Sequence, residues 1–160
     1  MSISRRPRTL KRWLKSTSNR TFIVYPIIII VLECIVHKGM PVLIFWGMPL
    51  LPWGYLQYHW GGKYRTRKGG GGPGVEIPPD RIVDTGIYAF TRNPMYLGHL
   101  IFMTGLSISF WSLPAVALLL YHLFWFHSRV LQDEQRLLEM FGQNYVNYMG
   151  RVKRWVPGLF

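Results

Sequence analysis

The sequence has few of the residues on which several common classes of site depend. It contains one cysteine, Cys34, so an intramolecular disulfide is excluded and no redox compartment follows. Acidic residues number 7 against 19 lysines and arginines, which gives a formal net charge of +12. No His-x-x-Glu pair or Cys/His cluster favours a metal site, and no Ser/His/Asp or Cys/His arrangement suggests a nucleophile. Disulfide, metal and covalent chemistry are therefore excluded or left without support.

Apolar residues, in contrast, are abundant. They make up 49% of the chain and lie in long blocks with the charges between them. That distribution is typical of an integral membrane protein, whereas a water-soluble chain this basic would usually bind nucleic acid. Four blocks are predicted to be transmembrane helices, at residues 22–36, 40–60, 94–111 and 113–126. We therefore expect an all-α membrane protein with about four transmembrane helices and a cytosolic C-terminal helical segment.

The basic residues alternate between the segments that flank these blocks. Residues 1–21 hold seven, the first connection only Lys38, residues 61–93 six, the turn at 112–114 none and the tail from residue 129 five. Because lysine and arginine favour the cytosolic side, we expect both termini in the cytosol. The predicted division is a retained basic arm (1–21), helices 1 and 2 (22–60), a Gly-rich cytosolic loop (61–93), a helix hairpin (94–128) and a cytosolic segment (129–160).

The prolines refine these elements. Pro49 and Pro52 fall inside the second block and are expected to kink it. Pro94 suits the first turn of the third helix, where a missing N–H costs nothing. The turn at Pro114 is short, so the third and fourth helices should form an antiparallel hairpin.

Several isolated features have a plain structural interpretation. The stretch "KGGGGPG" (68–74) lacks the Gly-Lys-Ser/Thr ending of a phosphate-binding loop and is interpreted as a flexible linker. Glu33 lies about one turn from His37 and is expected to reach toward the outer interface. His99 and His122 are expected to be hydrogen-bonding groups that face the bundle.

A sharper candidate site follows from the hairpin. Arg129 and Asp133 are four residues apart and share a helix face, where that helix leaves the bilayer. Antiparallel pairing should bring six residues to one depth: Arg92, Asn93, Tyr96, Arg129, Asp133 and Glu134. Carboxylates, guanidiniums, an amide and a tyrosine beside apolar walls suit a polar cofactor that meets an amphiphilic substrate.

Two motifs in this order resemble a known family. "DRIVDTGIYAFTRNPMYLG" (80–98) and "RVLQDEQRLLEMFGQNYVNYMGRVKRWVP" (129–157) resemble the isoprenylcysteine carboxyl methyltransferases and phospholipid methyltransferases of membranes. The resemblance covers roughly the C-terminal half of the chain. It implies S-adenosylmethionine as cofactor, in a cytosolic pocket between the last two spans that residues 129–160 complete. It also implies a lipid-like or lipidated substrate and membrane lipids as partners, with no nucleic acid.

The resemblance further implies which residues form the site. Arg129 would engage the substrate. On chemical grounds an amine acceptor must be deprotonated, in which Glu134 or a tyrosine could assist, whereas a carboxylate acceptor needs no base. The residues that it assigns to the cofactor are Arg81, Ile82, Val83, Tyr88, Asn93, Pro94, Met95, Tyr96, Asp133 and Glu134. Asn93 and Asp133 depart from the histidine and glutamate of the carboxyl methyltransferase pattern. Asparagine cannot titrate near neutrality, so the acceptor stays open among a prenylcysteine carboxylate, a phospholipid amine and similar groups.

Two other classes of function remain alternatives. One is a lipid or sterol reductase that uses NADPH in a similar helical bundle. The other is a non-catalytic membrane protein whose basic arm recruits anionic lipids, since each lysine or arginine near such a surface contributes about 1 kcal/mol. Whether S-adenosylmethionine or NADPH shifts the melting temperature discriminates the first alternative from the methyltransferase.

Overall fold

A computed structural model describes residues 10–72, 74–75 and 77–156, with side chains from Trp13 onward. Throughout these residues the secondary structure is helical and contains no strand, which confirms the all-α prediction. The helices are α1 (Leu10–Lys15), α2 (Thr17–Asn19), α3 (Tyr25–Val36), α4 (Leu50–Gly69), α5 (Pro94–Phe110), α6 (Leu113–Phe141) and α7 (Gln143–Arg151). Shorter turns lie between them, a π turn at Arg20–Val24 and 3-10 turns at Phe45–Gly47 and Gly86–Ala89.

The first long helical segment joins α2, the π turn and α3 without a break. It covers Thr17–Val36, 20 residues with a mean hydropathy of 1.9, and in the described part of the chain it alone is both long and apolar enough to cross a membrane. Ile27 and Ile35 on this segment are 57% and 67% exposed. Since so much exposed aliphatic surface is unfavourable in water, this helix indicates a membrane environment.

The second predicted span is placed differently by the structure. Residues 40–44 are not helical, and α4 begins only at Leu50 and continues to Gly69, inside the predicted Gly-rich loop. The prediction of a kink at Pro49 and Pro52 is wrong because both prolines lie at the start of the helix. There a missing N–H leaves no intrahelical hydrogen bond unmade.

Helices α5 and α6 form the predicted antiparallel hairpin. Trp111 ends α5 in the left-handed conformation, with φ of 47°. The Ser112 side chain then caps α6 by accepting a hydrogen bond from Ala115 N at 3.3 Å, and Pro114 lies in the first turn. Helix α6 runs 29 residues, well beyond the predicted end of the span. Its last turns therefore carry Asp133 and Glu134 past the start of α5.

A seam of glycines brings α4 and α5 into backbone contact. Gly47, Gly54 and Gly61 recur at intervals of seven residues, and Gly98 and Gly105 repeat the interval on the other side. A Cβ on Gly54 would lie 2.5 Å from Phe102 N, and one on Gly98 would lie 2.7 Å from Gly54 O. Because only glycine permits this approach, the seam fixes α5 against α4 and so fixes the position of the residues at the start of α5.

Candidate functional site

The start of α5, the end of α6, α7 and the preceding loop enclose a cavity. Together with its open mouth it has a volume of about 740 Å³. Its lining residues are Arg65, Val75, Ile77, Pro78, Pro79, Ile82, Val83, Tyr88, Arg92, Asn93, Pro94, Met95, Tyr96, Asp133, Arg136, Leu137, Phe141, Tyr145 and Tyr148. Mostly apolar walls with a few charged groups are typical of small-molecule sites.

A series of polar contacts begins at Tyr96 in the wall of the cavity. The Tyr96 hydroxyl donates a hydrogen bond of 2.7 Å to Asp133 Oδ2, and Arg129 Nε lies 3.6 Å from Asp133 Oδ1. The hairpin thus joins these three residues as the sequence predicted. The carboxylate of Asp133 is held from two sides and is oriented before any ligand binds.

Glu134 lies in a second cluster, away from the cavity wall. Arg154 donates from Nε and Nη2 to Glu134 Oε2 at 3.0 and 2.8 Å. Arg92 Nη2 lies 2.9 Å from Oε1, an ion-pair contact whose angle falls outside hydrogen-bond geometry. The Glu134 side chain is 8% exposed. Two guanidiniums therefore contact one buried carboxylate, and the described lining of the cavity does not include Glu134.

Residues 152–154 are tied along the start of α5. Arg92 N donates to Lys153 O at 3.0 Å. The Thr91 hydroxyl and the Asn93 amide both donate to Arg154 O, at 3.1 and 3.2 Å. The Thr-Arg-Asn segment of the first motif therefore binds the backbone of the second motif. One hydrogen of the Asn93 side-chain amide takes part in this contact, and the residue also lines the cavity.

Buried tyrosines hold α7 against the loop before α5. The Tyr148 hydroxyl donates to Tyr88 O at 2.8 Å, and the Tyr88 hydroxyl donates to Gly61 O at 3.3 Å. Burial raises the pKa of Tyr88 above its ordinary value, although Arg65 opposes the shift. Burial also raises the pKa of Tyr145 and Tyr148. All three phenols are therefore neutral hydrogen-bonding groups at physiological pH.

The Gly-rich stretch is fastened at several points, unlike the flexible linker that its composition predicted. Gly69 O accepts hydrogen bonds from the backbone N–H groups of Asp80 and Arg81 at 2.7 and 2.9 Å. Arg65 donates to Gly72 O at 3.0 Å and also to Gly74 O. Beyond these bonds Val75 is buried against α5 and α6, in a cluster with Tyr96 and Val130. The stretch is therefore held in place by these bonds, and Val75, which follows it, lines the cavity.

Eight of the ten residues predicted to hold a cofactor line the cavity: Ile82, Val83, Tyr88, Asn93, Pro94, Met95, Tyr96 and Asp133. Arg81 is exposed and lies in a neighbouring groove with Asp84 and Arg151. Glu134 supports the cavity from behind through its ion pairs. Arg129 lines an adjacent cavity that shares Tyr96 and Val75 with the first. The last proline of the second motif, Pro157, lies outside the described residues.

Of Glu33, His99 and His122, which lie in the predicted membrane helices, two have an ion-pair or hydrogen-bond partner. Glu33 Oε2 lies 3.3 Å from His37 Nε2, so the acid pairs within its own helix. His122 contacts the Tyr25 hydroxyl at 3.3 Å and Leu118 O at 2.9 Å, as expected for a bundle-facing group. His99 is fully buried, stacks on Phe22 at 4.7 Å between ring centroids, and has no hydrogen-bond partner among the described residues. The expectation of a hydrogen bond for His99 is wrong.

Sequence reasoning missed three contributors to the site. Arg65 and Val75 were assigned to a loop, because no periodic pattern links them to the cavity. Arg154 was counted only as a basic residue of the tail. Its pairing with Glu134 depends on how the residues after α7 pack against the start of α5, and no local signal in the sequence predicts that packing.

Comparisons with known proteins agree with the motifs. A family model described as phospholipid methyltransferase matches residues 74–144. The chain is 32% identical over 78 residues to protein-S-isoprenylcysteine O-methyltransferase B of Arabidopsis thaliana, covering 48% of this chain and 40% of that protein. It is 33% identical over 79 residues to protein-S-isoprenylcysteine O-methyltransferase of Schizosaccharomyces pombe, covering 48% of this chain and 33% of that protein. The chain thus spans less than half the length of these curated relatives.

The fold also has a solved counterpart. The structure of a eukaryotic intramembrane Ras methyltransferase, an isoprenylcysteine carboxyl methyltransferase, matches with a TM-score of 0.63 and 20% identity. The match covers 91% of this chain and 54% of that protein. At this identity the match concerns the fold alone. The family model and the curated relatives agree with the two motifs, and the solved structure agrees with the all-helical fold.

Proposed function

We propose that this protein transfers a methyl group from S-adenosylmethionine to a membrane-embedded, lipid-like acceptor at the cytosolic face. The observation that carries the proposal is the cavity between the two motifs, since eight residues that the motifs assign to the cofactor line it. The curated relatives are named for O-methylation of isoprenylcysteine, which favours an acceptor of that kind.

The residues of the cavity fit S-adenosylmethionine chemically. The molecule combines a flat aromatic base, a ribose, an amino-acid end and a cationic sulfonium. Tyrosine and phenylalanine rings offer stacking and apolar surface for the base. Arg136 offers a guanidinium for its carboxylate, and the oriented carboxylate of Asp133 offers an acceptor for its ammonium or hydroxyl groups.

The reaction mainly requires the protein to align the methyl donor with the acceptor. When bound, S-adenosylmethionine supplies an electrophilic methyl group, and its transfer to a carboxylate oxygen breaks the S–CH3 bond and yields a methyl ester and a neutral thioether with no proton to move. Tyr96 lines both this cavity and the adjacent one at which Arg129 lies, so the cofactor and the acceptor would meet beside it. Arg129 holds the acceptor, and Glu134 acts by positioning Arg92 and Arg154.

The same proposal includes a multi-pass topology with both termini in the cytosol. The first helical segment is long and apolar enough to span, and α5 is an apolar helix of 17 residues beside it. The alternation of basic segments supports a cytosolic location for the cavity. Four spans, with α4 and the first part of α6 as the remaining two, fit that alternation.

The test is calorimetric titration of the purified protein in detergent. We expect S-adenosylmethionine to bind, and Asp133→Asn to weaken the binding about ten-fold, since the change removes a charge-assisted contact. Glu139→Gln, an exposed change on the same helix, is the matched control and should bind as the wild type does. A folded sample that binds NADPH and not S-adenosylmethionine would favour the reductase. Binding of neither would favour a non-catalytic membrane protein.

A further inference from the structure

A second cavity adjoins the first. With its opening it has a volume of about 510 Å³, and Thr17, Arg20, Val75, Tyr96, Trp125 and Arg129 line it. Two of these residues, Val75 and Tyr96, also line the first cavity, so the two cavities adjoin each other at these side chains. Thr17 and Arg20 come from the first helical segment, which lies outside the region that the family model matches.

Arg20 is placed against this cavity by its neighbours. Its guanidinium carbon lies 5.9 Å from the ring centroid of Trp125, and Nη2 lies 3.5 Å from the Thr17 hydroxyl. Its Nε is buried and has no hydrogen-bond partner within the described part of the chain. An arginine near a membrane surface usually extends its head into water. A buried donor without a partner is costly, which argues for a ligand that supplies the missing acceptor.

The charges that line the cavity are of one sign. Arg20 and Arg129 contribute two guanidiniums, and the described lining includes no carboxylate. Asp133 is the nearby acid: it lines the first cavity, its Oδ1 lies 3.6 Å from Arg129 Nε, and its Oδ2 accepts a hydrogen bond from the Tyr96 hydroxyl at 2.7 Å. Trp125 and Val75 give the same cavity apolar walls. A cationic cavity with apolar walls suits an anionic head group on an apolar chain.

We propose that Arg20 is a specificity-determining residue of the acceptor site and binds the anionic head group of the acceptor opposite Arg129. The head group is a carboxylate or a phosphate, and the apolar chain lies along Trp125 and Val75. The inference rests on the proposed methyltransferase function and adds a residue from the first helical segment to its site. It also selects an anionic acceptor over an amine, because two cations disfavour an ammonium group in the same cavity.

Binding of three probes tests the proposal without requiring turnover. They are N-acetyl-S-farnesylcysteine, its uncharged carboxamide and dihexanoyl phosphatidic acid, each titrated into the wild type, Arg20→Gln and Arg20→Lys. Arg67→Gln removes an exposed arginine far along α4 and is the matched control. We expect Arg20→Gln to weaken an anionic probe about ten- to hundred-fold and to leave the carboxamide unchanged. Arg20→Lys should recover part of the loss, and Arg67→Gln should bind as the wild type does.

Each outcome has a consequence. If Arg20→Gln weakens the binding of N-acetyl-S-farnesylcysteine only, the head group of the acceptor is a carboxylate. If it weakens the binding of phosphatidic acid only, the head group is a phosphate. The proposal is overturned if the wild type does not prefer an anionic probe over the carboxamide, or if Arg20→Gln weakens all probes equally. S-adenosylmethionine binding, measured on the same variants, should stay unchanged. Failure of that binding in the wild type would reject the methyltransferase function, whereas its persistence with unaltered acid binding in Arg20→Gln would reject only the role of Arg20.

Discussion

The Tyr148 hydroxyl donates a hydrogen bond of 2.8 Å to the backbone carbonyl of Tyr88, across 60 residues of sequence. This bond joins α7 to the loop that precedes α5, and both partners line the first cavity. The wall of the cavity is therefore closed by a contact between the two sequence motifs. Any change that loosens it should affect the cavity before it affects the helical bundle below.

Replacement of Tyr148 by phenylalanine should lower both stability and cofactor affinity. A buried hydrogen bond contributes about 1 kcal/mol, so we expect a small fall in melting temperature and about a five-fold weaker binding of S-adenosylmethionine. Tyr145→Phe is the matched control, because it removes an equally buried hydroxyl and leaves the bond to Tyr88 intact. Equal effects of the two changes on binding would contradict the prediction. The measurements are thermal unfolding in detergent and calorimetry.

Replacement of Glu134 by glutamine should destabilise the protein strongly. The change leaves Arg92 and Arg154 facing each other without the carboxylate that both contact. Breaking a buried ion pair costs about 3–5 kcal/mol, and partial exposure of Arg154 favours the lower end. Glu139→Gln on the exposed face of α6 is the control and should be neutral. A variant with unchanged melting temperature but a shifted pH profile of methyl transfer would instead identify Glu134 as a proton acceptor.

The glycine seam should tolerate no added methyl group. A Cβ at residue 54 would stand 2.5 Å from Phe102 N and 2.6 Å from Gly98 O, so Gly54→Ala must push α4 and α5 apart. Overpacking of this kind costs about 1–3 kcal/mol. Gly150→Ala, in helix α7 with nothing within 4 Å of the new methyl group, should be neutral or slightly stabilising. Unfolding in a denaturing detergent measures the stability of both variants. Equal stability would contradict the close approach of α4 and α5 at Gly54.

Alkaline pH should destabilise the closed C-terminal segment. Burial raises the pKa of Tyr145 in the folded protein above the ordinary value of about 10. The folded state then holds a proton that the unfolded chain releases, so the stabilisation is fully present below pH 10 and declines as the pH rises above it. Tyr145→Phe should show a flatter loss of melting temperature between pH 9 and pH 10.5 than the wild type. Identical slopes would show that this phenol titrates normally.

The sequence predicted the helix hairpin and the meeting of Tyr96, Arg129 and Asp133, because helix periodicity and a short turn determine both. It placed the second helix too early, since the apolar run at residues 40–49 does not reveal that prolines favour the start of a helix there. It read residues 68–74 as a linker because glycine content carries no information on the backbone hydrogen bonds that fasten them. The ion pairs of Glu134 depend on contacts between segments that are distant in the sequence, so the local sequence does not predict them either.

The hydrogen bonds from residues 91–93 to residues 153–154 also have a consequence for biosynthesis. Lys153 and Arg154, whose carbonyls accept these hydrogen bonds, are synthesised after α3 to α6. A nascent chain that has reached only α6 therefore has neither Arg154 nor the tyrosines of α7. The contacts that close the cavity wall form only once α7 and the residues after it have been synthesised.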